Sequence, residues 1–274
     1  MNILYARQPF PAATTSSVFL AGPTPRDGVT PSWRPEAVRI LRELGFEGMV
    51  FVPESADGKW DEDDPDSWRT QVEWEEEALN RADVIVFWIP RAMANMPGLT
   101  TNDEWGFWKD SGKVVLGTPE GAVAVRYQRY YANKYRASTN SDMETTLKAA
   151  LARIEFFGGP TLRSEGAATI PLHVYNTPEF RGWLERLENS GNRLLSGRVV
   201  HTHWLPSKHL FSWGLSVNIW VAREQRVKSN EIVTGRPPTS SVILHGPVQD
   251  PWEDTEVVMI REFRPNVNNA DGMV

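Results

Sequence analysis

The chain has 274 residues, a net charge of −6 and 41% hydrophobic residues, which predicts a folded core and argues against a duplex nucleic acid partner. It contains no cysteine, which excludes disulfides, thiolate nucleophiles and cysteine-ligated zinc. Its apolar runs are far shorter than the roughly 20 residues that cross a bilayer, and no secretory signal opens the chain, so we expect a cytoplasmic protein without a membrane partner.

The first half of the chain alternates segments typical of strands with segments typical of helices. The predicted elements are, in chain order, strand Ser17–Ala21, helix 32–44, strand Met49–Val52, helix 68–81, strand 84–89, helix 101–111 and strand Val114–Gly117. Nearly continuous apolar strands separated by helices indicate a parallel sheet that is covered on both faces. We therefore predict an α/β fold, with a doubly wound parallel-sheet domain of the flavodoxin or Rossmann-like type over residues 1–160.

The pattern changes after residue 155. Residues 156–160 read Phe-Phe-Gly-Gly-Pro, which breaks the chain, and one helix at 178–188 precedes segments of alternating polarity. These predicted strands cover residues 198–204, 211–222, 231–234, 240–245 and 256–261. We predict a smaller, mainly antiparallel β domain over 161–274. Its last strands, at 240–265, resemble the opening of a Nudix hydrolase domain, but the 274 residues contain no glutamate-rich Nudix box. Either the sequence is part of a longer protein, or this half is a non-catalytic module that positions a substrate or partner, so we predict no Nudix activity from these residues.

Chemistry-bearing residues follow the strand at 84–89, where an open α/β sheet places its ligand. Residues 98–106 read Gly-Leu-Thr-Thr-Asn-Asp-Glu-Trp-Gly, and residues 111–113 read Ser-Gly-Lys before the next strand. Together with Phe-Leu-Ala-Gly-Pro at 19–23, this order of motifs resembles the nucleoside 2-deoxyribosyltransferase family over about residues 16–135. The resemblance implies cleavage or transfer at the N-glycosidic bond of a nucleoside or nucleotide, through a covalent glycosyl ester. We predict no cofactor and no metal.

The resemblance also implies roles for individual residues. Glu104, in the Glu-x-Gly segment, corresponds to the nucleophile, and Glu75, eight residues before Asp83, stands where the family has a catalytic Asp. Phe19 replaces the family's first-strand Tyr. The predicted substrate-binding residues are Phe19, Gly22, Pro23, Arg26, Glu54, Trp60, Thr100, Thr101, Asn102, Asp103 and Tyr127. Tyr127 is expected to face a neighbouring subunit, because family members build composite sites in homo-oligomers.

Glycosidic cleavage passes through an oxocarbenium-like state, so it needs one carboxylate and one protonated acid. We expect the helix N-terminus to keep Glu104 ionised and burial to keep Glu75 protonated. Residues 101–104 also match a capping box in which Thr101 caps the helix, and the acidic run at 73–77 is typical of a solvated helix face.

Other classes of function stay open. Phe19 and the incomplete Nudix-like half also fit a nucleotide-sensing module that binds without cutting, and a structural adaptor built on two degenerate folds is a third alternative. His201 and His203 share one face of a predicted strand, but no suitably spaced Asp, Glu or Cys accompanies them, so we predict no metal site.

Overall fold

The computed structural model describes residues 1–56, 67–206 and 208–236, together with the backbone of two short strands at Leu244–His245 and Val257–Val258. Met1–Arg236 form one compact unit and Pro237–Val274 form another. Within the described residues, no helix combines the length and the apolar character that crossing a membrane requires. The predicted Nudix-like strands lie almost wholly outside the described residues.

A six-stranded parallel sheet forms the centre of the first unit. The strands before residue 141 are β1 (Asn2–Tyr5), β2 (Ala13–Thr14), β3 (Ser17–Ala21), β4 (Met49–Val52), β5 (Val84–Trp88), β6 (Val114–Gly117) and β7 (Ser138–Asn140). All except β2 form one sheet in the order β1-β4-β3-β5-β6-β7, and every pair in it is parallel. The order reverses direction between β3 and β5, which makes the carboxyl ends of these two strands the expected ligand site.

Helices cover both faces of this sheet. They are α1 (Arg34–Glu43), α2 (Ser67–Arg81), α3 (Leu99–Trp108), α4 (Arg126–Lys134) and α5 (Met143–Phe156). Trp74 of α2, Trp105 of α3 and Ala132 of α4 pack in one apolar cluster. Leu41 of α1 and Leu147 of α5 pack in the second cluster, on the other face. The predicted α/β fold with a doubly wound parallel sheet is therefore confirmed.

The described elements between residues 163 and 235 are three long antiparallel strands and the elements that precede them. They are β8 (Arg163–Ser164), a 3₁₀ turn (Glu165–Thr169), α6 (Leu172–Tyr175), α7 (Pro178–Asn189), β9 (Arg193–Trp204), β10 (Leu210–Val221) and β11 (Arg226–Gly235). Strands β9, β10 and β11 form an antiparallel sheet in the order β11-β10-β9, and Phe180 and Leu184 of α7 share an apolar cluster with Trp213 of β10. This confirms the predicted antiparallel part, while the predicted domain boundary near residue 160 stays a prediction.

A buried ion pair joins the segment after α5 to the parallel sheet. Arg163 of β8 donates to both carboxylate oxygens of Asp83, at 2.8 and 2.6 Å, and both side chains are fully buried. Asp83 immediately precedes β5, and it also accepts hydrogen bonds from the Ser17 hydroxyl at 3.0 Å and the Leu172 backbone N–H at 2.7 Å. The carboxylate is therefore fully used in holding the amino ends of β3 and β5 against the later chain.

Gly22 directly follows β3 and has a backbone conformation that disfavours any residue with a side chain. Its φ is +147°, and a Cβ at this position would lie 2.0 Å from the carbonyl oxygen of Trp88. We expect Gly22→Ala to lower the free energy of unfolding by about 2 kcal/mol or more, because backbone strain and steric overlap add. Urea denaturation followed by tryptophan fluorescence measures this change.

Gly106 provides the matched control for this substitution. It lies in α3, and a Cβ there would have no neighbour within 4 Å. Gly106→Ala should therefore raise the free energy of unfolding by roughly 0.5–1 kcal/mol, through helix propensity. Equal effects of the two substitutions would show that Gly22 is not under steric constraint.

Candidate active site

Glu104 does not close the amino terminus of its own helix. Helix α3 begins at Leu99, after Gly98 in a left-handed conformation with φ 62°, and no side chain caps it. Thr101 is therefore the third helical residue, and Glu104 lies in the second turn. The capping-box interpretation is wrong because the helix starts two residues earlier than the sequence suggested. Glu104 is half-buried and accepts no hydrogen bond from another described residue.

Glu75 differs from the acidic residues that surround it in sequence. Its carboxylate is half-buried and accepts a hydrogen bond of 2.6 Å from the side-chain amide of Gln71, which is itself buried. Glu73 and Glu76, on the same helix, are exposed. Burial is the main cause that raises the pKa of Glu75 above its usual value. The solvated-face interpretation therefore holds for Glu73 and Glu76 but not for Glu75.

The two acids act on each other electrostatically. Burial, and to a smaller extent the negative charge of Glu75, raise the pKa of Glu104 to about 8, while Arg34 acts in the opposite direction. The expectation that the helix terminus keeps Glu104 ionised is wrong, because burial in the second turn outweighs the helix dipole. Near neutral pH the pair retains a proton, which is the charge state that a two-acid mechanism requires.

We expect the substitution Glu75→Gln to lower the pKa of Glu104. The amide removes the negative charge that disfavours ionisation of Glu104, while burial remains and keeps the pKa above its usual value. Titration of the Glu104 carboxyl carbon by ¹³C NMR measures the shift. Glu73→Gln, an exposed position on the same helix, should leave that titration unchanged. An unaltered titration of Glu104 in Glu75→Gln would mean that the two carboxyl groups are not coupled.

Arg34 organises the first loop and was not predicted from the sequence. Its side chain is 2% exposed and donates to the carbonyl oxygens of Leu20 at 3.0 Å and Gly22 at 2.7 Å. One nitrogen, Nη1, also donates to the Thr24 hydroxyl at 2.9 Å and to Glu54 Oε1 at 2.5 Å. A signal was present, because a cation in the first turn of a helix opposes the helix dipole and therefore needs a specific partner.

The predicted residues of the two loops around Arg34 come together only in part. Gly22 and Glu54 share the Arg34 guanidinium, so the loops after β3 and β4 are joined there. Pro23 is buried, and its carbonyl oxygen accepts a hydrogen bond from the Trp33 indole at 3.0 Å. Arg26 is exposed. Trp60, the residue predicted to stack on the base, lies outside the described residues.

Some of the predicted residues beside Glu104 are exposed to solvent, and the others are buried or hydrogen-bonded to neighbouring side chains. Thr100 and Asp103 are exposed, whereas Thr101 is buried. The Asn102 amide oxygen accepts hydrogen bonds from Arg91 Nη2 at 2.5 Å and from Gln128 Nε2 at 2.8 Å. Arg91 and Gln128 are buried, and the sequence reasoning missed both. Their contacts hold the start of α3 against α4.

The two predicted aromatic contacts lie in opposite environments. Phe19 is fully buried, in the apolar cluster that includes Phe51 and Trp74, so its ring presents no surface to solvent. Tyr127 is 77% exposed on α4. Substrate contact by either ring stays a prediction, as does a partner subunit facing Tyr127. Among the described residues, no group of three or more His, Asp or Glu side chains is placed to hold a metal ion.

Comparison with known proteins bears on the segment that carries both acids. Residues 15–122 match the family model described as nucleoside 2-deoxyribosyltransferase like. The match begins just before β3 and ends after β6, so it includes Glu75 and Glu104. It confirms the predicted resemblance for this segment. A search of curated proteins finds no match to the chain.

Proposed function

We propose that this protein cleaves or transfers the N-glycosidic bond of a nucleoside or nucleotide through a covalent glycosyl ester on Glu104. The observation that carries the proposal is the pair of electrostatically coupled, half-buried acids, Glu75 on α2 and Glu104 on α3. Both lie within the segment that matches the nucleoside 2-deoxyribosyltransferase-like family, which indicates nucleoside glycosyl transfer.

The chemistry needs one proton on the pair. Glu104, as the carboxylate, attacks C1′ of the sugar while the bond from C1′ to the base nitrogen breaks, and Glu75 delivers its proton to the departing base. Water or a second base then attacks C1′ and gives a proton to the Glu75 carboxylate, while the bond from C1′ to the Glu104 oxygen breaks and Glu104 leaves as a carboxylate. The proton of the pair must therefore lie on Glu75, and not on Glu104, before C1′ is attacked, and the positive charge that develops at C1′ favours this distribution.

The surroundings of the pair support this assignment. Arg34 lowers the pKa of both acids, which limits the cost of ionising one of them in a buried setting. The Gln71 amide donates to Glu75 and fixes the orientation of its carboxyl group. Helices α2 and α3 hold the two acids on rigid elements at the same face of the sheet.

A nucleotide-sensing module is the second candidate. It is favoured by Phe19, because the family resemblance implies a tyrosine hydroxyl that positions the nucleophile at this point of β3. Phe19 carries no hydroxyl, and Glu104 accepts no hydrogen bond from any other described residue. A sensor would bind the same ligands without turnover.

One assay separates the candidates. The protein is incubated with ribonucleosides, deoxyribonucleosides and their 5′-monophosphates, each with and without a free acceptor base, and base release is followed by chromatography. Free sugar without acceptor indicates hydrolysis, and a new nucleoside with acceptor indicates transfer. Calorimetric binding without release supports the sensor. Neither binding nor release across the panel would overturn both candidates.

A further inference from the structure

A cleft lies at the amino ends of β6 and β7, away from the two acids. It consists of two adjoining cavities of about 250 and 280 Å³ that share Gly112, Tyr135, Arg136, Arg153 and Lys208. The first residues of the two strands, Val114 and Ser138, line the first cavity. Glu104 lines neither cavity. We call this region the basic cleft.

Positive charge is concentrated in the basic cleft although the chain as a whole carries a net charge of −6. Its lining includes one acidic side chain, Asp110. The cationic residues that line it are Lys109, Lys134, Arg136, Arg153 and Lys208. None of these five forms an ion pair with an acidic residue in the described part of the chain. Uncompensated cations around a cavity favour binding of an anion.

Arg153 is the fixed member of this set. Its Nε and Nη2 atoms donate to the carbonyl oxygen of Gly112 at 2.9 and 2.6 Å, and its guanidinium lies 4.7 Å from the Phe157 ring centroid and 5.3 Å from that of Trp204. Burial lowers the pKa of Arg153 to about 10, so the group stays charged at neutral pH. Nη1 donates to no other described residue, which leaves a pre-oriented donor for an anionic oxygen.

Exposed aromatic rings line the cleft beside the cations. Tyr135 is 39% exposed and Phe156 is 46% exposed, and both contribute to the first cavity. Lys134 lies 5.5 Å from the Tyr135 ring centroid. Alternating aromatic and basic side chains bind phosphates and a heteroaromatic base together. The cavity volumes suit one small molecule and not a nucleic acid helix.

We propose that the basic cleft binds a nucleoside triphosphate, with its phosphates on Arg153, Arg136 and Lys208 and its base against Tyr135 or Phe156. This site is distinct from the pair Glu75 and Glu104, because the cleft lies at the amino ends of β6 and β7, whereas the loops joined by Arg34 follow the carboxyl ends of β3 and β4. Binding here therefore does not require the proposed glycosyl chemistry.

Calorimetric titration of the full chain tests the proposal, with adenosine triphosphate, inorganic triphosphate and adenosine as separate probes. We expect adenosine triphosphate to bind more tightly than inorganic triphosphate, and its affinity to fall as the salt concentration rises. The double variant Arg136→Glu, Lys208→Glu should weaken binding at least tenfold. Lys134→Glu alone, at the exposed end of α4, should weaken it severalfold and covers the case in which the double variant does not fold.

The matched control reverses two exposed cations elsewhere. Arg126→Glu, Arg223→Glu makes the same change in net charge at positions that line neither cavity, and it should keep the affinity within about twofold. Equal weakening in both double variants would overturn the proposal, because binding would then follow net charge alone. Undiminished binding in Arg136→Glu, Lys208→Glu would overturn it as well, since the ligand would then occupy another site. Absence of triphosphate binding to the unaltered chain has the same consequence.

Discussion

Glu104→Ala is expected to abolish base release, with a loss of about 10³-fold or more in kcat/KM on the best substrate of the panel. The proposed covalent route needs the Glu104 carboxylate to receive C1′. Glu104→Gln should lose activity to the same order, because an amide keeps the shape of the side chain but is a poor nucleophile. Chromatographic rates at matched protein concentrations measure the loss.

The control for this experiment is Glu73→Gln, which changes an exposed acid on α2 and should keep the rate within about twofold. Mass spectrometry of the acid-quenched reaction should detect a peptide containing Glu104 with the added mass of the sugar. Turnover that persists in Glu104→Ala would remove the proposed nucleophile. Binding that persists in Glu104→Ala without any turnover by the unaltered chain would favour the sensor.

Of the single substitutions considered for stability, Arg163→Ala is expected to lower the free energy of unfolding the most, by about 3–5 kcal/mol. The substitution leaves the fully buried Asp83 carboxylate without its cation. Urea denaturation followed by circular dichroism measures the loss. Arg226→Ala, which breaks an exposed pair with Glu224, should change the same free energy by less than about 1 kcal/mol.

A second variant separates the lost ion pair from simple loss of packing. Asp83→Asn combined with Arg163→Gln removes both charges at once, so the double variant should be more stable than Arg163→Ala. A double variant that is no more stable than Arg163→Ala would show that the uncompensated charge of Asp83 is not the main cause of the loss.

The central strands of the fold could be predicted because a continuous run of apolar residues indicates a buried strand without any information from the rest of the chain. Strands β3 and β5 are fully buried runs of apolar residues, and the predicted bounds of both agree with the structure to within one residue. The edge strands lack this signal, since β7 reads Ser-Thr-Asn and is largely exposed. Helix α5 does carry a local signal at its start, because the side chain of Asp142 accepts a hydrogen bond from the Thr145 backbone N–H and caps the helix.

The sequence predicted the two acids of the candidate site, but it did not predict the arginine that holds the neighbouring loops in place. Glu75 and Glu104 stand in recognisable motifs, whereas Arg34 looks like an ordinary residue at the start of an amphipathic helix. Its burial depends on acceptors that lie 10 to 20 residues away in the chain, including Glu54, and no local pattern specifies such contacts. The ionisation of Glu104 was predicted incorrectly for the same reason, because burial and the charge of Glu75 come from other elements.

The hydrogen bonds of Arg34 have a consequence for the energetics of recognition. One cation already joins the end of β3, the turn at Thr24 and the segment after β4 before any ligand is present. A flexible loop would lose conformational entropy when a ligand binds. Here that entropy has already been lost during folding, so binding does not have to include this cost. A ligand that binds at this loop meets a backbone already fixed by Arg34, and the backbone of residues 20–24 should superimpose closely between the empty and the occupied protein.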